Sequence, residues 1–283
     1  MITTISNSTI KASINTKGAE LISLQNQNNK EFIWEGNPEY WGKHSPVLFP
    51  IVGTLKNNSY TFDSETYHLS RHGFARDSEF EIIIKTETQV VFSLQSTAST
   101  RKLYPFEFEL QISYTVFENE LIIGYKIINN DAIEMPFSIG GHPAFALSKK
   151  FEAYSLAFEY SENLVSYQLE NDLLSDKTCI IPMENNKLPL TYSLFENDAL
   201  IFKKLQSKRI SILENNIPIL HLKFDDFPNF GIWTKNNAPF ICLEPWLGYS
   251  DTSNCSGSII EKEGIQFVDS KTTFECQFSI EIV

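Results

Sequence analysis

The chain has 283 residues, of which 42% are hydrophobic and 20% charged, enough for a sizeable core and too apolar for a disordered protein. Its formal charge of −12 and the presence of only Arg71, Arg76, Arg101 and Arg209 as arginines argue against nucleic acid as a partner. No apolar run approaches the roughly 18 residues of a membrane span, and Cys179, Cys242, Cys255 and Cys276 form no CxxC pair.

The start, "MITTISNSTIKAS", lacks a basic segment followed by an apolar one, so a cytoplasmic protein with reduced thiols is expected. Alternation of apolar and polar residues begins in "TTISNSTIKASI" and "AELISLQNQNNKEFIW". In "NPEYWGK", Asn37 as a cap and Pro38 at the first helical position predict a short helix. Strands are then predicted in "SYTFDSETYHL" and "EFEIIIKTETQVVFSLQ". The clearest is "FEFELQISYTVF", with Phe106, Phe108, Leu110, Ile112, Tyr114 and Val116 on one face, followed by a turn at Glu118–Glu120 and a second alternating run through Leu121, Ile123, Tyr125 and Ile127. "LIFKKLQSKRISIL" and "FECQFSIEIV" continue the pattern, and no linker or repeat divides the chain. These features predict an all-β protein, one large antiparallel β-sandwich domain over residues 1–283, although periodicity alone does not separate a sandwich from a barrel or a propeller.

Three stretches break the alternation and gather polar groups: "LSRHGFARDSEF", "IGGHPAF" and "PFICLEPWLGYSD". In the second, Gly140 and Gly141 admit backbone angles closed to other residues and Pro143 fixes the chain, so the orientation of His142 looks imposed, although a simple turn histidine would read the same way. Glu244 lies in a strand-like apolar run ending at a proline, where a carboxylate either faces solvent or has a raised pKa suited to a general base. His72 sits in a basic turn beside Arg71. His68 and His72 have a metal-ligand spacing, but no HExxH or Cys/His set accompanies them and no metal is expected. There is also no GxSxG elbow, P-loop or GxGxxG. Histidine plus carboxylate without a cofactor suits proton transfer on a neutral sugar. It suits a lectin-like binding module nearly as well, because Trp34, Trp41, Trp233 and Trp246 offer stacking faces.

Taken together, "KGAELISL", "FIWEGNPEYW", "SPVLFPIVGTLKNNSY", "HGFARDSEFE", "GGHPAF", "FENDALIF" and "GIWTKNNAPFICLEPWLGYSD" resemble, in order and spacing over nearly the whole chain, the aldose 1-epimerase (galactose mutarotase) superfamily and its LacX-like bacterial branch. The resemblance implies a β-supersandwich and a sugar substrate. It further implies Glu244 as catalytic base at the anomeric hydroxyl, His142 as acid at the ring oxygen and His72 as a second active-site histidine. Arg76 and Asp198 match substrate-contacting residues, and Trp246 is expected beside the sugar. Relatives read "PIVGRLK" where this chain has Thr54; Lys56, Lys43 and His44 are the candidates to replace that arginine, a lysine without its bidentate fork, and the sequence leaves open what the change does to sugar choice. The readings left open are an aldose 1-epimerase, a hexose-6-phosphate 1-epimerase, and a sugar-binding protein without turnover.

Overall fold

Alternation along Phe108–Phe117 and Glu120–Asn129 buries every second side chain, and the two strands pair in register from Phe117↔Glu120 to Phe108↔Asn129. The computed structural model describes residues 1–283. This hairpin lies near one end of a nine-stranded antiparallel sheet, flanked by Gln89–Gln95 on one side and the C-terminal strand Thr273–Ile282 on the other. A second large sheet has eight strands, and its centre is the strand Phe240–Leu247. Smaller sheets are built by the first three strands, by the hairpin Ser59–Phe62/Glu65–His68, and by Met135–Phe137 with Gln266–Val268. All pairings between strands are antiparallel, as the alternation predicts.

One core cluster of 65 buried residues runs from Ile5 to Ile282 and takes side chains from both large sheets. The strand Phe240–Leu247 is buried on both faces. Ile241, Leu243 and Leu247 enter that core, while Phe240, Cys242, Glu244 and Trp246 point the opposite way. A two-sided run of this kind loses the apolar/polar alternation that marks a half-exposed strand.

Two local expectations are corrected. Asn37–Lys43 is not a helix: Asn37 accepts from the amides of Tyr40 and Trp41, its side chain accepts from Glu39 N–H, and a single turn at Pro38–Tyr40 is all that forms. The second concerns Pro245, which does not end its strand. Alternation from Leu243, whose N–H reaches Pro143 O, directs the missing N–H of Pro245 towards Gly141, just beyond Gly140, where the pairing of Ile139–Gly141 with this strand stops, so that ladder is not interrupted.

Candidate active site

The strands Ile139–Gly141 and Ala144–Ala146 share one register against Phe240–Leu247, with Gly140↔Trp246 on one side of the gap and Ala144↔Cys242 on the other. That register sets His142 opposite Glu244, and directly opposed residues of an antiparallel pair bring their side chains together. His142 Nε2 lies 3.3 Å from Glu244 Oε2. On the other side Glu244 pairs with Gly231, so no side chain competes for the carboxyl. The glycine pair does not supply unusual backbone angles, because neither Gly140 nor Gly141 has a positive φ. They supply room instead. A Cβ on Gly140 would stand 2.5 Å from the Trp246 ring, and one on Gly141 would stand 2.9 Å from Phe278 of the nine-stranded sheet. The first lets the indole lie beside Glu244; the second lets the two sheets approach behind His142.

His72 reaches the same place from a tight turn and has φ +69°. Its Nδ1 accepts a 3.0 Å hydrogen bond from Gly53 N–H, and its own N–H donates to Gly53 O at 2.8 Å. A neutral imidazole has one acceptor nitrogen, so this backbone bond places the ring proton on Nε2. Arg71 Nε lies 3.3 Å from that Nε2, which is then a contact between two donors rather than a hydrogen bond. Gly53 has φ +76°, and a Cβ there would collide with Ser250. Its loop is held by Ser250 Oγ, which accepts from Thr54 N–H, and by Asp251, whose N–H reaches Thr54 O and whose carboxylate accepts from Lys56 N–H. Asp251 is in turn paired with Lys262 at 2.9 Å, a buried ion pair.

Burial dominates the electrostatics. It pushes the Glu244 carboxyl well above the usual carboxylate range, aided by Asp198 and opposed by Arg71 and by the Trp246 indole, whose Nε1 points at the carboxyl without reaching hydrogen-bond geometry. Burial pulls His142 down from 6.5 to about 3, with Arg71 and Arg76 acting in the same direction, and it also lowers His72. The site therefore disfavours net charge, and the His142–Glu244 pair at rest holds one proton between its two members. A pH prediction follows for stability. Between 6.5 and about 3 the unfolded chain protonates His142 while the folded chain does not, so stability falls on acidification through that window. The raised Glu244 pulls the opposite way above 4.5. Urea midpoints measured across the window should fall less steeply in His142→Gln than in wild type. Parallel curves would mean that His142 is charged in the fold.

The three residues open on a cavity of about 750 Å³ that Arg76, Asp198 and Trp246 also line. All six predicted site residues thus converge on one cavity. Asp198 sits on the far wall with φ +81°, its carboxylate accepting from Ala199 N–H. Arg76 Nη2 donates to Arg71 O at 2.7 Å, while its buried Nε has no hydrogen-bond partner. None of the cations expected to replace the missing arginine lines the cavity. Lys43 pairs with Asp77, Lys56 Nζ donates to Ser253 O and His44 bonds Trp34 O. The guanidinium at that wall is Arg71, passed over in the sequence as part of a basic turn, and it also reaches Asp172 at 3.2 Å. Thr54 turns a buried, unpartnered hydroxyl inward.

Trp41 stacks on the His142 ring at 4.7 Å between centroids, and Trp233 meets it edge-on at 6.0 Å. Trp34 lies behind them, buried, with Nε1 donating to Trp41 O. Lys235 closes the rim by donating to Tyr40 O. His68 is exposed on its hairpin and does not join His72 in a donor cluster; the three donors that do gather, within 4.8 Å of one another, belong to His142, Cys242 and Glu244. No helix is long and apolar enough to cross a membrane.

Comparison with known proteins gives a family and a fold. The family model described as aldose 1-epimerase matches residues 1–265. The LacX protein of Lactococcus lactis subsp. lactis, in its chromosomal form, is 35% identical over 272 residues, covering 91% of each chain. A galactose mutarotase related enzyme from Lactobacillus acidophilus superimposes with a TM-score of 0.95 at 34% identity, covering 100% of this chain and 97% of that one. A galactose mutarotase-like protein from Lactobacillus casei ATCC 334 gives 0.94 at 31% identity, with both chains covered completely.

Proposed function

We propose that this chain, which belongs to the aldose 1-epimerase family, interconverts the α and β anomers of a hexose by acid–base catalysis without a cofactor. The observation that carries this reading is the buried His142–Glu244 pair, 3.3 Å apart, with His142 in the break between two strands that flank Phe240–Leu247, facing a cavity walled by Trp41, Trp233 and Trp246. Glu244 takes the proton of the anomeric hydroxyl as His142 gives one to the ring oxygen; the bond between C1 and the ring oxygen breaks and a free aldehyde forms. Rotation about C1–C2 turns its other face to the hydroxyl, and the same two transfers in reverse close the opposite anomer. The reaction needs one proton in the pair, on His142 before opening and on Glu244 after it. Both arrangements are neutral overall, which is the condition that the dry site favours. Burial rests that proton on Glu244, and direct contact between the two groups passes it to His142 before the ring opens. His72, neutral and with its proton on Nε2, donates to a sugar oxygen, while Asp198 accepts from hydroxyls.

Anomer exchange measured by NMR on equilibrated glucose, galactose and glucose 6-phosphate tests the reading. Exchange in excess of the uncatalysed rate supports it. Sugar-induced shifts without exchange would replace it with a binding protein.

Arg71 and Arg76 on one wall favour a second reading, in which the hexose carries a phosphate. A guanidinium bond to phosphate contributes about 1.5–3 kcal/mol, so Arg76→Ala should raise KM for the phosphorylated sugar roughly 10- to 100-fold with a smaller change for the neutral one. Equal changes for both sugars would assign Arg76 to hydroxyl contacts.

A further inference from the structure

We propose that His142, Cys242 and Glu244 form a site for one divalent cation of the zinc class, taken up through the sugar cavity. The three donor atoms lie within 4.8 Å of one another, and all three residues are buried. Their convergence follows from the sheet. Cys242 and Glu244 are two apart on one face of the strand Phe240–Leu247, and His142 stands opposite Glu244, diagonal to Cys242. Glu244 faces Gly231 on the side away from His142, while Cys242 lies between Ala144 on one neighbouring strand and Trp233 on the other.

Four-coordinate zinc, with bonds of about 2.0–2.3 Å, separates its donor atoms by roughly 3.3–3.7 Å. The His142–Glu244 separation of 3.3 Å already matches. The thiol closes the remaining distance, about an ångström, by rotation of its side chain. His142 and Glu244 line the cavity whereas Cys242 does not, so an ion arrives between the first two and meets the sulfur last, leaving its fourth position towards the cavity. One nitrogen, one sulfur and one oxygen make a set for zinc, cobalt or cadmium rather than for magnesium or calcium.

A divalent cation bound by thiolate, carboxylate and neutral imidazole makes a set with no net charge, which suits a buried site. The ion occupies the base and the acid together, so its competition with sugar rests on the epimerase reading, whereas its binding does not.

Cobalt(II) is the probe. Wild-type protein titrated with it should develop a thiolate-to-cobalt charge-transfer absorption at one equivalent, unaffected by excess magnesium. Cys242→Ser should lose the absorption. An outer-shell partner of a bound metal is worth about 10- to 100-fold in affinity, so deleting a ligand should weaken binding by at least about tenfold. Glu244→Gln provides a second variant and should weaken binding while keeping the thiolate absorption. Zinc should inhibit anomer exchange, reversibly on chelation. A wild type without the absorption, or an absorption retained in Cys242→Ser and lost with Cys179 or Cys255, would overturn the site. A wild type that binds cobalt but exchanges no sugar would overturn the epimerase reading and leave the metal site standing.

Discussion

Glu244→Gln is expected to slow catalysed anomer exchange by about 10²- to 10⁴-fold, the range for removal of a positioned base. The amide keeps the shape of the carboxyl, and no neighbouring side chain depends on its charge, so the fold should survive. Stability should rise at neutral pH. Glu244 holds its proton in the folded chain above pH 4.5 while the unfolded chain releases it, so the folded state binds more protons and loses stability as pH rises. Glutamine removes that cost. The pair of measurements is exchange by NMR and the urea midpoint at pH 7. Full activity in the variant would displace Glu244 as base, and a lower midpoint would show that the carboxylate is charged and partnered.

The second large effect is on stability and lies outside the cavity. Lys262, 3% exposed, donates to Tyr249 O and to Asp251, itself 5% exposed. Removing one member of a buried pair leaves the other uncompensated, so Lys262→Met should cost about 3–5 kcal/mol in urea unfolding. Asp251→Asn/Lys262→Met, which leaves no lone charge, should recover much of that. The same carboxylate accepts from Lys56 N–H, and its residue's backbone holds Thr54 and Leu174, so the single variant should also loosen the loop whose Gly53 N–H fixes the His72 tautomer. A loss below about 1 kcal/mol would mean that water reaches the pair.

The sequence yields most where one face of a strand is half exposed. Residues 106–129 show their period openly and fold as it predicts. The strand Phe240–Leu247 is harder, because burial on both faces erases the contrast between its residues and the proline suggests an end that the neighbouring gap makes unnecessary. The resemblance implies that His72, His142 and Glu244 share one site, but the residues by themselves do not, because 102 positions separate His142 from Glu244 and only the sheet register closes that distance. Arg71 was missed because a basic turn reads alike on the surface and at a cavity wall. The glycines before His142 were correctly marked as special, but they serve close packing, a property of partners that the local sequence does not contain.

The two-faced strand Phe240–Leu247 also limits how this protein can misfold and vary. A slip of one residue against Ile139–Ala146 would turn Glu244 into the 65-residue core and present Leu243 to the cavity. An unpartnered carboxyl there costs several kcal/mol, so the residue read as the base also penalises the wrong register during folding. Insertions and deletions of a single residue within Phe240–Leu247 should accordingly abolish folded protein, whereas the loops around the cavity rim, that of Lys235 among them, can change length without moving the His142–Glu244 pair.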